Sequence, residues 1–464
     1  MTRVVVVGNG MAGARLVAEL VRRDSSLHLT VFGAEPDRAY NRVLLSDVLA
    51  GRRGARELAL VEPAGPVRHA GVTVTRIDRH LQTVTATDGS TTPYDVLVLA
   101  TGSTAFIPSV QGIAGPAGTL LPGVHAFRTL QDCEMIADGA RRSTRAVVVG
   151  GGLLGLEAAR GLLQRGLRVD VVHGGSHLMD VQLDPAGGAV LRRAVEALGV
   201  GVHVGSQASR VLGGRSVTGV GTADGRVVDA DLVVLACGVR PSVSLARHAG
   251  LAVDRAVLVD DELRTDDPAI FAIGECAQHR GEVYGLVAPA WEQAAVAAEV
   301  ITGGASRYTG SRLVTRLKAM DLEVAAMGDT APGLADVEPG LEVLVLSDPA
   351  RHVYKKLVVR DGVLVGAVLL GDLSTVGTLT QAFDRRSPLP ADRAGLLVAP
   401  RAGTAVLDDE DLVCTCNGVT AGELRACSSV AEAALTTRAT TGCGGCSAVV
   451  AGLCTAPVRE RTPA

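Results

Sequence analysis

The chain has 464 residues, 47% of them apolar and 2% aromatic, with 56 glycines and a formal charge of −4 from 45 basic and 49 acidic side chains. That length predicts about three or four domains with ample cores. The near-balanced charge and scarce aromatics exclude a general attraction to nucleic acid or anionic membrane and a base-stacking surface.

In chain order, residues 3–7 read as a strand that begins with no signal pattern before it. The turn Gly8-Asn-Gly10-Met-Ala-Gly13 follows, then a helix to about Val21 and a strand over residues 27–32: a βαβ unit. Residues 94–103 form a buried strand closing in Ala100-Thr101-Gly102. A second copy of the opening unit then starts, with a strand over 146–149 and the turn Gly150-Gly-Gly152-Leu-Leu-Gly155. A helix over 156–164 and a strand over 167–172 complete it. Residues 231–240 repeat the buried-strand text and end in Gly238-Val-Arg-Pro. Residues 265–275 end in Phe-Ala-Ile-Gly274-Glu275. Alternating apolar strands over 311–389 predict a third α/β domain, and prolines at 388, 390 and 400 mark a linker. Residues 411–464 are too few for a self-sufficient core and call for a metal or another staple. No apolar run is long enough to span a membrane, so a soluble, cytoplasmic chain is expected. Nine cysteines in such a chain favour metal or redox work over structural disulfides.

A glycine turn between a strand and a helix presents backbone N–H groups and a helix dipole to a pyrophosphate. Two such turns predict two dinucleotide sites. After the first, Glu35 ends the second strand, where an acid can bond ribose hydroxyls; a solvated loop charge is the plain alternative. At the corresponding place in the second copy stands His173, which is neither an acid nor an arginine. No arginine cluster follows it, so NADH is expected over NADPH, and His173 can equally be an ordinary strand-end residue.

Near the C-terminus, Cys414 and Cys416 form a C-x-C pair, and Cys443 and Cys446 a C-x2-C pair. Four thiolates suit structural zinc or a [2Fe–2S] cluster. The nucleotide sites upstream favour the cluster, because a two-electron donor needs a one-electron outlet to reach a metal enzyme. Cys427 and Cys454 fall outside the pattern, and the isolated Cys133, Cys237 and Cys276 read as buried, inert thiols.

The two fingerprints, Ala-Thr101-Gly102, Gly238-Val-Arg-Pro and Phe-Ala-Ile-Gly274-Glu275 together resemble the two-dinucleotide-domain flavoprotein reductases. The resemblance implies an α/β fold with two Rossmann-like domains. FAD would lie on residues 1–112 and 243–310, and NAD(P)H on the inserted residues 113–242. A C-terminal α/β reductase domain would span 311–390, a linker 391–410 and a small helical [2Fe–2S] domain 411–464. It also implies that Glu275 contacts the flavin's ribityl–phosphate region in place of the usual Asp. Glu157 would lie near the nicotinamide–flavin junction, although residue chemistry alone allows a helix first-turn acid. The stretch after Tyr40 has no CxxxxC pair and no single Cys, which argues against disulfide or peroxide reduction. Cys414-Thr-Cys416-Asn-Gly-Val and Thr441-Gly-Cys443-Gly-Gly-Cys446 resemble the bacterioferritin-associated ferredoxin-like domain.

The stretches 39–46 and 274–293 resemble the N-terminal half of NADH-dependent nitrite reductase large subunits and the electron-transfer subunits of assimilatory nitrate reductases. In that setting Arg42, Pro289, Trp291 and Glu292 would lie near the flavin, with packing as the alternative. Lys318 would approach it too, unless it is a solvated surface charge. The expected function is transfer of electrons from NADH through FAD and [2Fe–2S] to a separate catalytic subunit, most readily a molybdenum nitrate reductase. A separate nitrite reductase, a rubredoxin or a ferredoxin is the alternative acceptor. A zinc-stapled scaffold is the alternative of another class. The sirohaem and [4Fe–4S] domain of nitrite reductases is missing from the sequence, so the chain is expected to load electrons rather than reduce nitrite itself.

Overall fold

Two five-stranded parallel sheets are built on one plan in the computed structural model, which describes residues 2–115, 119–319, 322–398, 407–414, 417–441 and 446–455. The first sheet runs, edge to edge, Ile270–Ala272, Val96–Leu99, Arg3–Val7, His28–Gly33, Val67–Ala70. The second runs Gly201–His203, Arg168–Val172, Arg145–Val149, Leu232–Leu235, Val124–Ala126. In each, the first strand of the copy lies at the centre. Val7 pairs with Phe32 on one side and Leu99 on the other. Val149 likewise pairs with Val172 and Leu235. Unbroken valine runs suit these central strands because both faces are covered. Val4, Val6, Val147 and Val148 are fully buried.

Helices Met11–Arg23 and Val287–Ile301 cover one face of the first sheet, packing Leu16, Val17 and Leu20 with Ala294, Ala297 and Ala298. The small alanines allow close approach of the two helices. In open α/β sheets ligands bind beyond the carboxyl ends of the strands, where the strand order reverses. Both glycine turns lie there.

The chain divides into two compact units: residues up to 179 with 195–311, and residues 180–194 with 312–464. Residues 180–194 fall inside the segment drawn from the sequence as NAD(P)H-binding, yet they pack with the C-terminal part. The second unit holds an antiparallel sheet in the order Val314–Ala319, Leu322–Gly328, Val363–Leu370, Val353–Arg360, Leu341–Asp348. Helix Val376–Arg385 packs Leu379 and Phe383 onto it. Consecutive lysines in its strand Val353–Arg360, Lys355 and Lys356, are both 1% exposed. Each is fully engaged: Lys355 Nζ donates to Asp372 and Leu397 O, and Lys356 Nζ to Asp184 and Thr330 O. The cysteine segment adds a hairpin, Leu412–Cys414 with Val419–Thr420, and three short helices around Leu424, Ala433 and Val450. No described helix is long and apolar enough to cross a membrane.

Candidate functional site

Strand Arg3–Val7 turns at Gly8, whose φ of +119° is open to glycine alone. A Cβ there would stand 2.1 Å from Ala100 O, and one on Gly13 would stand 2.0 Å from Gly8 O. Both glycines are therefore demanded by the protein's own packing. Gly10 is different: its Cβ would meet only Arg42 Nε, at 4.0 Å. It is the N-cap of helix Met11–Arg23, so the helix opens on a backbone edge that no side chain of Gly10 itself covers. Such an edge fits the close approach of a pyrophosphate.

The second turn repeats this pattern. Gly150 has φ +118° and a Cβ position 2.2 Å from Ala236 O; that of Gly155 is 1.9 Å from Gly150 O. A Cβ on Gly152, the cap of helix Leu153–Gln164, would meet nothing within 4 Å. His173 sits at the end of strand Arg168–Val172 and accepts a hydrogen bond at Nδ1 from Gly151 N, 3.2 Å away. Its place is thus beside the turn, which it braces.

Between strand ends, the two carboxylates assigned to the flavin nucleotide are each held by an arginine. Glu35 pairs with Arg42 and accepts from Tyr40 Oη at 2.6 Å. The Arg42 guanidinium lies over the Tyr40 ring, 4.9 Å from its centroid, and donates to Arg128 O at 3.3 Å. Glu275 pairs with Arg128 and accepts from Ser103 Oγ at 2.6 Å; Arg128 also donates to Ser103 Oγ at 2.7 Å. The sequence reading missed Arg128 and Ser103 as partners of Glu275. No local motif marks Arg128, and 147 positions separate it from Glu275.

Thr101 Oγ1 donates to Ser242 O at 2.8 Å, and Gly102 and Gly238 take φ of +64° and +100°. They flank the antiparallel strand pair Ser103–Ala105 with Val239–Pro241, so these three residues come together where the chain crosses between the two nucleotide folds. Gly274, at φ +76°, donates its N–H to the buried Gln293 Oε1 at 2.7 Å. Trp291 is 4% exposed and donates Nε1 to Met11 O at 3.1 Å, with Arg15 stacked 5.6 Å from its ring. Pro289 is buried in the same helix, whereas Glu292 is exposed and accepts from Ser311 Oγ. Packing thus accounts for Trp291, and Glu292 meets Ser311.

Glu157 departs from one expectation. The helix begins at Leu153 rather than at 156, so no acid lies in its first turn and the dipole does not explain the residue. Its carboxyl group is hydrogen-bonded with Ser46, across from the short helix Leu45–Leu49. Burial first, then the charge of Asp47, pushes it up to about 7 against the lowering effects of Ser46, Arg52 and Arg160.

Cys133 and Cys276 are buried and Cys237 partly so; each donates Sγ to a backbone carbonyl. Burial raises all three thiols, Cys133 to about 12 and Cys237 to about 11, which leaves them unreactive. In the tail, Cys414 and Cys446 meet and are hydrogen-bonded to each other. Asn417 Nδ2 approaches Cys414 Sγ at 3.5 Å, and Thr440 N approaches Cys446 Sγ at 3.2 Å. The hydrogen bond from Cys446, then those from Asn417 and Thr440, hold the Cys414 thiol well below the ordinary range. Two sulfurs together, each met by an N–H donor, fit a thiolate-bound metal centre. Cys416 and Cys443 lie outside the described residues, and among the described residues no group of three ligand-type side chains converges. Cys427 and Cys454 donate instead to Glu423 O and Leu424 O within the small core. Lys318 is in strand Val314–Ala319, paired along the backbone with Glu323.

Comparison with known proteins agrees with this geometry. Residues 2–299 match the family described as pyridine nucleotide-disulphide oxidoreductase, and residues 314–387 match the rubredoxin NAD+ reductase C-terminal domain. A nitrite reductase [NAD(P)H] of Bacillus subtilis (strain 168) is 37% identical over 97% of this chain and 57% of its own length. An assimilatory nitrate reductase electron transfer subunit from the same organism is 33% identical, over 97% of this chain and 59% of its own. The chain thus spans only about half to three-fifths of these relatives. Among solved structures, a ferredoxin reductase from Rhodopseudomonas palustris aligns with TM-score 0.74 and 26% identity, covering 84% of this chain and 96% of that one. The covalent putidaredoxin reductase–putidaredoxin complex aligns with TM-score 0.77 and 25% identity, covering 85% of this chain and 97% of that one.

Proposed function

Because this chain belongs to the pyridine nucleotide-disulphide oxidoreductase family, we propose that it draws electrons from NADH and passes them singly, through a [2Fe–2S] cluster, to a separate catalytic subunit. The observation that carries this reading is the pairing of two glycine turns whose middle glycines, Gly10 and Gly152, are left open by the protein's own packing. FAD and NAD(H) are the cofactors of such a reductase fold. FAD, when bound, supplies the chemistry that converts a hydride into single electrons.

The residues divide the work. The N–H edge at Gly8, Gly10 and Gly13 would hold the FAD pyrophosphate, with Glu35 bonding ribose and the Arg42 and Arg128 guanidinium groups offsetting phosphate charge. Glu275, Thr101, Gly102 and Gly274 would lie along the ribityl chain, with Pro289, Trp291 and Glu292 supporting that side. Gly150, Gly152 and Gly155 would hold the NADH pyrophosphate, beside Gly238, with Glu157 at the junction. His173 followed by Gly174, Gly175 and Ser176 offers no guanidinium for a 2′-phosphate, which supports NADH over NADPH. Cys414, Cys416, Cys443 and Cys446 would ligate the cluster, in a small domain after the linker.

The acceptor we favour is an assimilatory nitrate reductase, because a relative named as that enzyme's electron transfer subunit matches nearly this whole chain. A nitrite reductase is the second reading, favoured by the relative of that name. The test is an anaerobic visible and electron paramagnetic resonance spectrum before and after NADH. Flavin bleaching together with a rhombic one-electron signal is expected. Bleaching without an iron signal would remove the cluster and leave a simple flavin reductase. A colourless protein would favour the zinc-stapled scaffold. Loss of NADH on adding nitrate or nitrite, each with its candidate partner subunit, separates the two acceptors.

A further inference from the structure

A carboxylate that binds the two vicinal hydroxyls of a ribose must present both oxygens at once, in one orientation. A glutamate left to itself spreads over many rotamers, and fixing it on binding weakens affinity. We propose that Tyr40 is the positioning residue that sets the Glu35 carboxylate for the adenosine ribose, and that it thereby raises the preference of the first nucleotide site for a flavin dinucleotide over a flavin mononucleotide. This role rests on the reading of that site given above and adds to it a residue and a specificity.

The place of Glu35 is fixed by the turn itself. Gly8 N donates to Phe32 O at 2.8 Å, and a Cβ on Gly33 would stand 3.1 Å from Asn9 Cβ, so the strand before Glu35 ends against the first glycine turn. Arg42 stands over the same turn, its Nε 4.0 Å from where a Cβ on the open Gly10 would lie. Arg42 holds Glu35 Oε1, and Tyr40 Oη donates to Oε2 at 2.6 Å. Each oxygen keeps a second lone pair, one for each ribose hydroxyl. The direction of the Tyr40 O–H is settled by its other partner. Leu130 N lies 2.9 Å from Oη, and a backbone N–H can only donate, so Oη accepts there and its own proton goes to Glu35. Leu130 is the first residue of helix Leu130–Ala140, where N–H groups have no acceptor within the helix. The Tyr40 ring is 5% exposed and carries the Arg42 guanidinium on its face. The backbone on either side is pinned by Asn41 N to Leu58 O and by Leu60 N to Ala39 O, both at 2.8 Å. The phenol is therefore a rigid prop between a helix start and the carboxylate. Neighbouring acids are held by other groups: Glu62 by Asn9 Nδ2 at 3.2 Å and Arg68 at 3.5 Å, Glu275 by Arg128 and Ser103.

The experiment titrates the whole chain, stripped of cofactor, with FAD and with FMN, and follows the quenching of flavin fluorescence. Tyr40→Phe keeps the ring beneath Arg42 and removes only the hydroxyl. It should raise the FAD dissociation constant about tenfold and leave that for FMN, which has no adenosine ribose, within about twofold. In a Glu35→Ala background the same change should weaken FAD by less than about twofold, because the carboxylate it positions is gone. FAD whose adenosine ribose lacks both hydroxyls should bind the unaltered chain about tenfold more weakly than FAD, and Tyr40→Phe should not weaken it further. Equal weakening of FAD and FMN by Tyr40→Phe would make Tyr40 a packing residue and overturn the proposal. So would an unchanged FAD constant, or the full loss persisting in the Glu35→Ala background. Equal affinity of the unaltered chain for FAD and the analogue would overturn it without any variant. Failure of the unaltered chain to bind FAD, or of NADH to bleach the bound flavin, would instead overturn the electron-transfer reading itself.

Discussion

Gly13 lies so close to Gly8 that a Cβ on it would stand 2.0 Å from the Gly8 carbonyl oxygen. Gly155 stands to Gly150 in the same relation, at 1.9 Å. Helix and strand touch at these points through backbone alone. Gly10 and Gly152 have no such neighbour, and that difference separates structural from ligand-facing glycines. Gly13→Ala and Gly155→Ala should therefore destabilise the chain even without cofactor, by about 3 kcal/mol or more, since the clash is with backbone that cannot yield. Gly10→Ala should leave the cofactor-free melting point within about a degree and weaken FAD binding by about tenfold, the loss of roughly one close phosphate contact. Denaturant melts of the stripped protein and flavin fluorescence titrations check the pair. A Gly10→Ala protein that melts early would assign that glycine to packing.

Arg128 was found only in the folded chain. It bridges Glu275 and Ser103 and offers its carbonyl to Arg42. Arg128→Ala should raise the FAD dissociation constant by roughly tenfold to hundredfold, the worth of a charge-assisted hydrogen bond of about 1.5–3 kcal/mol. Arg128→Lys should recover part of this, because a lysine keeps the charge but not the fork. Equal binding by all three proteins would exclude the arginine from the site.

Asp184 accepts hydrogen bonds from both Lys356 Nζ and Tyr354 Oη at 2.7 Å, tying residues 180–194 to the C-terminal sheet. Lys356→Ala leaves the half-buried Asp184 without its cation, though still bonded to Tyr354 Oη and Gly187 N, and should cost about 1–3 kcal/mol in the second unit. The acid behaviour follows from the depressed carboxylates. The pairing with Lys356 lowers Asp184, and that with Lys355 brings Asp372 down to about 2. A carboxylate depressed in the fold stabilises it above its ordinary value of about 4, and that contribution is lost as pH falls toward the folded value. Stability of this unit should be flat from neutrality to about pH 4 and fall between about 4 and 2. Urea midpoints across that range, for the unaltered chain and Lys356→Ala, measure it; the variant's curve should be shallower.

The thiol pair offers a fourth check. Cys414→Ser or Cys443→Ser should still permit NADH to bleach the flavin but lose the iron and the delivery of electrons to the natural acceptor. Iron content, the one-electron signal and acceptor reduction are the three readings. Normal acceptor reduction by either variant would take the cluster out of the path.

Much of the nucleotide-binding part was legible because its determinants are neighbours in sequence. A valine run buried on both faces, a glycine with φ of +119° and a helix start are all fixed by local backbone geometry, so Gly8–Gly13 and Gly150–Gly155 could be placed on strand-to-helix turns before any fold was known. The alternating strands after residue 311 were readable for the same reason. Even there, the start of helix Leu153–Gln164 was misplaced by three residues, because its first turn is glycine and leucine that also suit a loop.

Side-chain partnerships obey no spacing rule, and only the tertiary structure decided them. It brought Arg128 to Glu275, Ser46 to Glu157 and Cys446 to Cys414, and it turned Trp291 onto the backbone of Met11. It also moved residues 180–194 from the nucleotide-binding segment to the C-terminal unit, through Asp184 and two residues of a distant strand. The sequence by itself thus determined where backbone could approach a phosphate, because steric limits on glycine act within a few residues. Which charges meet depended on how long-range packing closed the chain on itself.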